Sequence, residues 1–316
     1  MSSLDKMRSE KAPTICAVIV TWMPDIDRLQ KVLFGLTRQV DAVVVIDNGS
    51  PTTLFKALSR RDYGFPLEFE RFSNNKGLAA GQNRGIAWAD EGNFSHVILL
   101  DQDSIPFPCM VADLLNAERE LIHSGAQVGA VGPLCMDQRT GRSLPFCQIT
   151  PLGTVTKIYG SKNVAGAPCC RADFLISSGS LLRLCVISRV GAMDEALFID
   201  SIDIEWSYRA ASFGYLCFGV FSARLDHRLG DTVVSFFKGR FQWPVHGGSR
   251  LKSMMRNRVV LYKRPYIPRR WKRADFPRLV GKFLLFSLFV PPRWEHCKSM
   301  WRGLLAGFHG EVLKRD

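Results

Sequence analysis

The sequence predicts an α/β fold with a mostly parallel central sheet. Short uninterrupted apolar runs end in carboxylates or turn formers, and amphipathic helical patterns separate them from residue 14 to residue 133. An apolar run bounded by turn residues reads as a strand buried on both faces. Strands that alternate with helices at short spacing pair in parallel through right-handed crossovers. This half of the chain reads as a doubly wound nucleotide-binding unit.

Residues 14–21 form the first expected strand, and Trp22-Met23-Pro24-Asp25 the turn after it. Asp25 suits the N-cap of a helix to about Arg38, with Leu29, Val32, Leu33 and Leu36 as its apolar face. Residues 42–46 are the second strand and run into Asp47-Asn48-Gly49-Ser50, a strong turn signal. Residues 66–72 alternate loosely as a third strand. Asn74-Asn75-Lys76-Gly77 opens a helix from about Leu78 to Ala89, and His96 to Asp101 is the fourth strand. A helix from about Cys109 to His123 leads to a strand over 128–133. Residues 137–170 are rich in turn formers and show no period, so a long irregular segment is expected there. Residues 174–182 read as an apolar strand broken by small residues at its centre. Residues 198–209 open a helix that ends near Phe213-Gly214, and 216–221 form a further short apolar stretch. The expected organisation is a disordered N-terminus over 1–12, one α/β domain over 13–238, and a basic, aromatic helical segment over 239–316.

With 316 residues and 47% hydrophobic content the chain can bury a sizeable core. Its nine cysteines contain no Cys-x-x-Cys pair, and Cys169 and Cys170 are adjacent. That pattern argues against a disulfide framework and a structural zinc site, and it fits a reduced, cytosolic compartment. Residues 15–20 are too short for a secretory apolar region and lack a cleavage site. The net charge of +13 is unevenly spread. Residues 227–316 carry 20 Lys and Arg against 5 Asp and Glu, whereas the other 226 residues carry 22 against 24. A basic tail can serve nucleic acid, an anionic bilayer or solubility. No recognised nucleic-acid-binding motif accompanies it, which argues against nucleic acid. Basic clusters at 263–264 and 269–273 border the largely apolar stretch 279–290, interrupted by Lys282. That stretch is shorter than the roughly 20 residues a bilayer span requires. Aromatics and Lys/Arg around it suit a helix lying in the interface of an anionic leaflet; a buried core helix with a solvated basic face is the alternative.

Two groups of carboxylates carry the chemistry. Asp101 and Asp103 follow the fourth strand at i, i+2, where open α/β sheets place their ligands. Two hard oxygen donors at a sheet edge suit a divalent cation that also takes phosphate oxygens. The same pair also reads as a solvated strand-end loop that caps the next helix. Asp200, Asp203 and Glu205 fall at the start of a helix, where carboxylates complement the macrodipole without any further function.

Six motifs decide between these readings. They are Val44-Val45-Ile46-Asp47-Asn48-Gly49-Ser50, the stretch Asn75-Lys76-Gly77-Leu78-Ala79-Ala80-Gly81-Gln82-Asn83-Arg84-Gly85-Ile86, Leu99-Leu100-Asp101-Gln102-Asp103-Ser104, Phe174-Leu175-Ile176-Ser177-Ser178-Gly179, residues 197–209, and His227-Arg228-Leu229-Gly230. In this order, over residues 13–265, they resemble glycosyltransferase family 2 and, within it, the rhamnosyltransferase branch. The resemblance implies a GT-A type α/β fold with a Rossmann-like nucleotide-binding half. It implies a nucleotide-sugar donor, dTDP-L-rhamnose in this branch, a divalent cation (Mg²⁺ or Mn²⁺) and inversion at the anomeric carbon. The acceptor would be a glycan or glycolipid, either lipid-linked or of the rhamnolipid type. With the basic tail, this places the protein in the cytoplasm, peripheral on the inner face of the cytoplasmic membrane. A UDP- or GDP-sugar donor, a nucleotidyltransferase and a non-catalytic membrane-bound scaffold are the competing readings; the phosphate loop a nucleotidyltransferase needs is missing from Thr21-Trp22-Met23-Pro24.

The resemblance also assigns roles. Asp103, with Asp101 and His227, would hold the metal, a Lewis acid for the departing diphosphate. Inversion by single displacement through an oxocarbenium-like centre needs a base opposite the leaving group. That base matches Asp203, with Asp200 as the second candidate; Ile202 stands where the family often has another acidic residue, and Glu205 orients the helix and Arg209. Thr21, Asp47, Asn75, Asn83 and Asp101 would line the donor site, and Trp22, in place of a more usual tyrosine, would stack on the base. Ser177, Ser178 and Gly179 would leave room for the acceptor sugar.

Overall fold

A computed structural model describes residues 12–51, 58, 61–138, 141–160, 168–227, 232–236, 241–245 and 247–311. The N-terminus expected to be disordered lies outside the described residues except for Ala12, as do Arg228-Leu229-Gly230 of the last motif. The first four strands are β1 (Ile15–Thr21), β2 (Ala42–Asp47), β3 (Leu67–Arg71) and β4 (His96–Asp101). They pair in parallel in the order β3-β2-β1-β4, with α1 (Ile26–Leu36) and α2 (Leu78–Glu91) as crossovers. Asp25 caps α1 as expected, its Oδ1 accepting the Arg28 N–H at 3.2 Å. After β5 (Ile105–Pro106) and α3 (Met110–His123), β6 (Val128–Asp137) and β11 (Leu216–His227) extend the sheet and run parallel to each other.

The sheet strands are apolar without interruption because both faces are covered. One face of β1, β2 and β4 turns Val18, Val44, Ile46, Val97 and Leu99 toward α2 and Trp206. The other turns Ala17, Ile19, Val43, Val45, Ile98 and Leu100 toward α1 and α3. α2 lies unusually close to β1. A Cβ at Gly81 would stand 2.5 Å from Val20 Cγ1, and one at Gly85 would stand 2.2 Å from Val18 Cγ1. The four-residue glycine spacing of the second motif is therefore a packing device.

Two expectations are corrected here. Residues 137–170 are not one irregular segment: among the described residues they contain the hairpin β7 (Phe146–Ile149) and β8 (Val155–Ile158) and the start of β9 (Cys169–Ala172), which pairs with β11. Their strands are four residues long, too short for a period to emerge. Residues 174–182 are not a strand either. Only β10 (Leu181–Arg183) is extended, wedged antiparallel between β4 and β6. A turn precedes it, with Gly179 at φ +85°, a conformation that favours glycine.

α4 (Leu184–Val190) and α5 (Ile202–Ser212) come next, then a second hairpin, β12 (Thr232–Phe236) with β13 (Phe241–Val245). Three helices close the described chain: α6 (Gly248–Lys263), α7 (Arg269–Leu288) and α8 (Arg293–His309). Leu261, Ile267 and Trp271 join the sheet's own core, while Leu251, Met255, Phe286, Val290 and Met300 form a second, smaller one. Residues on both sides of the expected 238/239 boundary thus share one core. Among the described residues, no helix is long and apolar enough to cross a membrane.

Candidate active site

Parallel pairing brings the carboxyl ends of β1, β2 and β4 level. Thr21 is in register with Asp47, and Val20 with Asp101. β11 pairs Asp226 with Ile105 of β5, which carries His227 to the same edge. Ser104, fully buried, has its Oγ 2.8 Å from His227 Nδ1. That contact leaves Nε2 as the ring nitrogen open to another partner. Asp101 Oδ2 lies 4.0 Å from His227 Nδ1.

The protein backbone and a strap of side chains hold the Asp101–Asp103 loop. The Asp101 N–H donates to Ser178 Oγ at 3.1 Å. Arg28 donates to the Asp103 carbonyl from Nε at 3.1 Å and from Nη2 at 2.9 Å. Arg28 Nη2 also reaches Gln138 Oε1 at 2.5 Å, and Gln138 Nε2 donates to Asp226 Oδ2. Gln102 Oε1 accepts the Trp22 N–H at 2.8 Å and ties the ends of β1 and β4 together. The Asp103 carboxylate itself has no hydrogen-bond partner among the described residues. Burial raises the Asp101 pKa and Asp103 raises it further, while His227 and Arg250 lower it. Asp103 has no cation paired to it among the described residues and Asp101 has only His227, 4.0 Å away, so the two carboxylates keep the donor chemistry a hard divalent cation prefers. Among the described residues no group of three His, Cys, Asp or Glu is arranged to hold a metal alone. Mg²⁺ usually takes only one or two carboxylates and leaves the rest of its shell to water and phosphate. Asp101 and Asp103, with His227 Nε2 nearby, fit that share.

Asp203 sits half-buried in the first turn of α5, its Oδ1 accepting the Ile204 N–H at 2.8 Å. Burial pushes its carboxyl up to about 6, and the Asp200 and Asp101 charges add to the effect. It makes no salt bridge among the described residues. Asp200, the second candidate base, is neutralised instead: Arg250 of α6 reaches it from Nε at 3.2 Å and Nη2 at 3.1 Å. The loop that presents both is strained, with Phe198, Asp200 and Ser201 at φ of 59°, 64° and 66°. Such non-glycine conformations persist only where neighbours over-determine them. Here Asn257, fully buried in α6, donates from Nδ2 to the carbonyls of Leu197, Ile199 and Asp200 at 2.7–2.9 Å. On the other side the Leu78 N–H donates to the Phe198 carbonyl at 2.7 Å, and a Cβ at Gly77 would fall 2.6 Å from that same oxygen. The glycine of the Asn75-Lys76-Gly77 motif is thus needed for this close approach. Glu205 is buried and bonded to Arg209 and Tyr266, the orienting role expected of it.

The remaining expected residues are distributed differently. Thr21 and Asp47 are buried; Asp47 accepts from Thr21 Oγ1 at 3.1 Å and from the Ser50 N–H and Oγ at 2.7 and 2.6 Å, so both its oxygens are engaged within the protein. Asn75 accepts the Gly77 N–H and shapes the turn before α2. The Asn83 amide is engaged within the protein: it bonds the Met193 carbonyl, the Met193 N–H and Glu195 Oε1 and ties α2 to the 193–195 segment. Ser178 and Gly179 are buried against β4 and Pro133, Ser178 accepting the Asp101 N–H and Gly179 donating to the Leu99 carbonyl, while Ser177 is half-buried. Sequence reasoning missed Arg28, Gln138, Arg250 and Asn257. Their partners lie 50 to 110 residues away, and no local motif marks them.

Residues 16–170 match the family described as Glycosyl transferase family 2. Over 254 residues the chain is 28% identical to the "dTDP-rhamnosyl transferase RfbF" of Shigella flexneri, an alignment covering 80% of this chain and 81% of that one. Its fold is similar to that of GalNAc-T7, solved with UDP, GalNAc and Mn²⁺ (TM-score 0.58, 14% identity, 96% of this chain and 57% of that chain). It is also similar to residues 1–349 of TarS from S. aureus (TM-score 0.53, 11% identity, 96% of this chain and 94% of that chain). At such identities these structures speak for the GT-A type fold alone. The sheet and its edge carboxylates agree with these matches: residues 16–170 are similar to family 2 glycosyltransferases, and the chain is similar to a rhamnosyl transferase.

Proposed function

We propose that the protein transfers L-rhamnose from dTDP-L-rhamnose, with inversion and with a divalent cation, to a hydroxyl of a lipid-linked glycan or rhamnolipid-type acceptor. The observation that carries this reading is the pairing of Asp101 and Asp103 at the sheet edge with Asp203, free of any salt bridge among the described residues, within electrostatic reach of Asp101. The similarity to a dTDP-rhamnosyl transferase supports the choice of donor. Asp101 and Asp103 would hold Mg²⁺ or Mn²⁺, which supplies Lewis-acid stabilisation to the leaving diphosphate. Asp203 takes the proton of the acceptor hydroxyl as the new C–O bond forms, a task for which a carboxyl near 6 is well placed at neutral pH. Ser104 fixes the His227 ring, and Arg28 fixes the Asp103 backbone. Ser177 is the one of the three small residues left for acceptor contact.

The proposed place of the reaction is the inner face of the cytoplasmic membrane. Phe276, Val280, Leu284 and Leu288 form an exposed row at i, i+4 spacing on α7, and Trp294, Trp301, Leu305 and Phe308 lie exposed on α8. Exposed apolar rows among Lys and Arg are the pattern of a helix pair that rests on an anionic leaflet. The test is a thermal-shift panel of nucleotide sugars with and without Mg²⁺, since a ligand of the native state raises the melting temperature. A metal-dependent shift with dTDP-L-rhamnose is expected. A shift with a UDP- or GDP-sugar alone would overturn the donor, and no shift with any would overturn the enzyme reading of this site.

A further inference from the structure

α6 and α7 enclose a pocket of about 330 Å³ lined by Met254, Met255 and Leu279 on its apolar side and by Arg258, Arg278 and Lys282 on its charged side. Positive charge outweighs negative there. Two nearby carboxylates are already paired, Asp275 with Arg258 and Asp200 with Arg250, and a third, Asp203, lies within electrostatic reach of Arg258. Arg258 also stacks over Trp271 at 5.7 Å. The Lys282 ammonium is left with Met254 Sδ at 3.3 Å and the Phe286 ring at 5.6 Å, neither of them an anion. Arg278 is exposed and has no hydrogen bond or ion pair among the described residues. Burial pushes the Lys282 pKa down to about 8, with Arg258 and Arg250 adding to the effect against Asp200. A half-buried ammonium beside two guanidiniums is costly unless an anion joins it.

The pocket's position is as telling as its charge. Arg258 lies within electrostatic reach of Asp200 and Asp203, and Lys282 of Asp200, so the pocket lies toward the proposed base. The same helix carries the exposed Phe276, Val280 and Leu284 row one face away. We propose that Arg258, Arg278 and Lys282 form a subsite for the phosphate or diphosphate of an amphiphilic acceptor, whose first apolar carbons lie on Met254, Met255 and Leu279. This rests on the reading of Asp203 as the base for a lipid-linked acceptor, and it specifies how that acceptor is recognised. Guanidinium and ammonium donors bind phosphate through charge-assisted hydrogen bonds, and the thioethers adapt to an irregular chain.

The test uses the full chain with saturating dTDP and Mg²⁺, and farnesyl diphosphate, inorganic pyrophosphate and farnesol as probes by calorimetric titration. Farnesyl diphosphate is expected to bind, at least tenfold more weakly to Lys282→Met and several-fold more weakly to Arg278→Ala. Lys282→Met removes a half-buried charge and keeps its volume, and Arg278 is exposed, so both variants should fold. Equal affinity in wild type and both variants would overturn the subsite, as would farnesol binding as tightly as its diphosphate. Pyrophosphate binding as tightly as farnesyl diphosphate would overturn the amphiphile in favour of free phosphate. The dTDP-L-rhamnose thermal shift, which neither variant should alter, separates the two proposals. If that shift is absent while farnesyl diphosphate binding still depends on Lys282, the donor reading falls and the subsite stands.

Discussion

Replacing Asp203 by Asn should cost the enzyme its activity and make it more stable. Burial raises the Asp203 carboxyl from 3.8 to about 6, so the folded state resists its ionisation more than the unfolded chain does. The sign follows from linkage. A pKa raised on folding gives stability that is fully present below the unfolded value and is lost as pH rises through the folded one. Wild type therefore carries a penalty that Asn does not: about 1 kcal/mol at pH 4.5 and about 3 kcal/mol at pH 7.5. Asn keeps an oxygen for the Ile204 N–H, so little else changes in the fold. The variant should melt roughly 4–8 °C above wild type at pH 7.5 and only roughly 2 °C above it at pH 4.5. Its turnover, followed as dTDP release, should fall by about 10²-fold or more, the usual contribution of a positioned base. In wild type, kcat/KM should drop about tenfold for each pH unit below 6. A variant within tenfold of wild-type turnover, or a melting gain equal at the two pH values, would refute the assignment of Asp203 as a buried base.

Four further outcomes are expected. Asp103→Ala should abolish the metal-dependent dTDP-L-rhamnose shift without lowering the melting temperature of the free protein, because its carboxylate has no hydrogen bond to lose among the described residues. Asn257→Ala should destabilise the protein by about 1–3 kcal/mol by leaving buried carbonyls unpaired, and should reduce turnover by letting the 198–201 loop relax; urea unfolding and dTDP release read the two effects. Gly85→Ala should cost about 1–3 kcal/mol in the same unfolding assay, since α2 must move off Val18 to admit a methyl group. Leu284→Asp with Trp301→Asp should abolish co-sedimentation with phosphatidylglycerol vesicles while leaving the melting temperature unchanged, as both side chains are more than half exposed.

The sheet was readable because its strands are buried on both faces and so are written as continuous apolar runs: Val18, Val44 and Leu99 face one layer of helices, and Ile19, Val45 and Leu100 the other. The positions of Asp101 and Asp203 in the fold were readable, because an apolar run ending in a carboxylate marks a strand end and a carboxylate before an amphipathic run marks a helix start. What escaped was held at long range or in short pieces. β10 is three residues long, and the Ser177-Ser178-Gly179 turn before it resembles a weak strand until the positive φ of Gly179 is known. Asn83 lies in a motif and suggests a ligand, yet its amide is spent on Met193 and Glu195, contacts that no local pattern encodes. Charge counting placed the basic residues in the tail but could not reveal that Arg250 neutralises Asp200 across 50 residues.

The grip of α6 on the 198–201 loop bears on when, during synthesis, the enzyme becomes competent. The parallel sheet and the Asp101–Asp103 edge are complete once β11 has been made, and N-terminal units fold first as a chain emerges from the ribosome. Asn257 and Arg250 come later, and Arg256 of the same helix donates to the Ala196 carbonyl. A nascent chain would thus assemble its Asp101–Asp103 edge before it could seat Asp203, the proposed base. Seating Asp203 waits until α6 has been made, just ahead of the two helices that carry the exposed apolar rows.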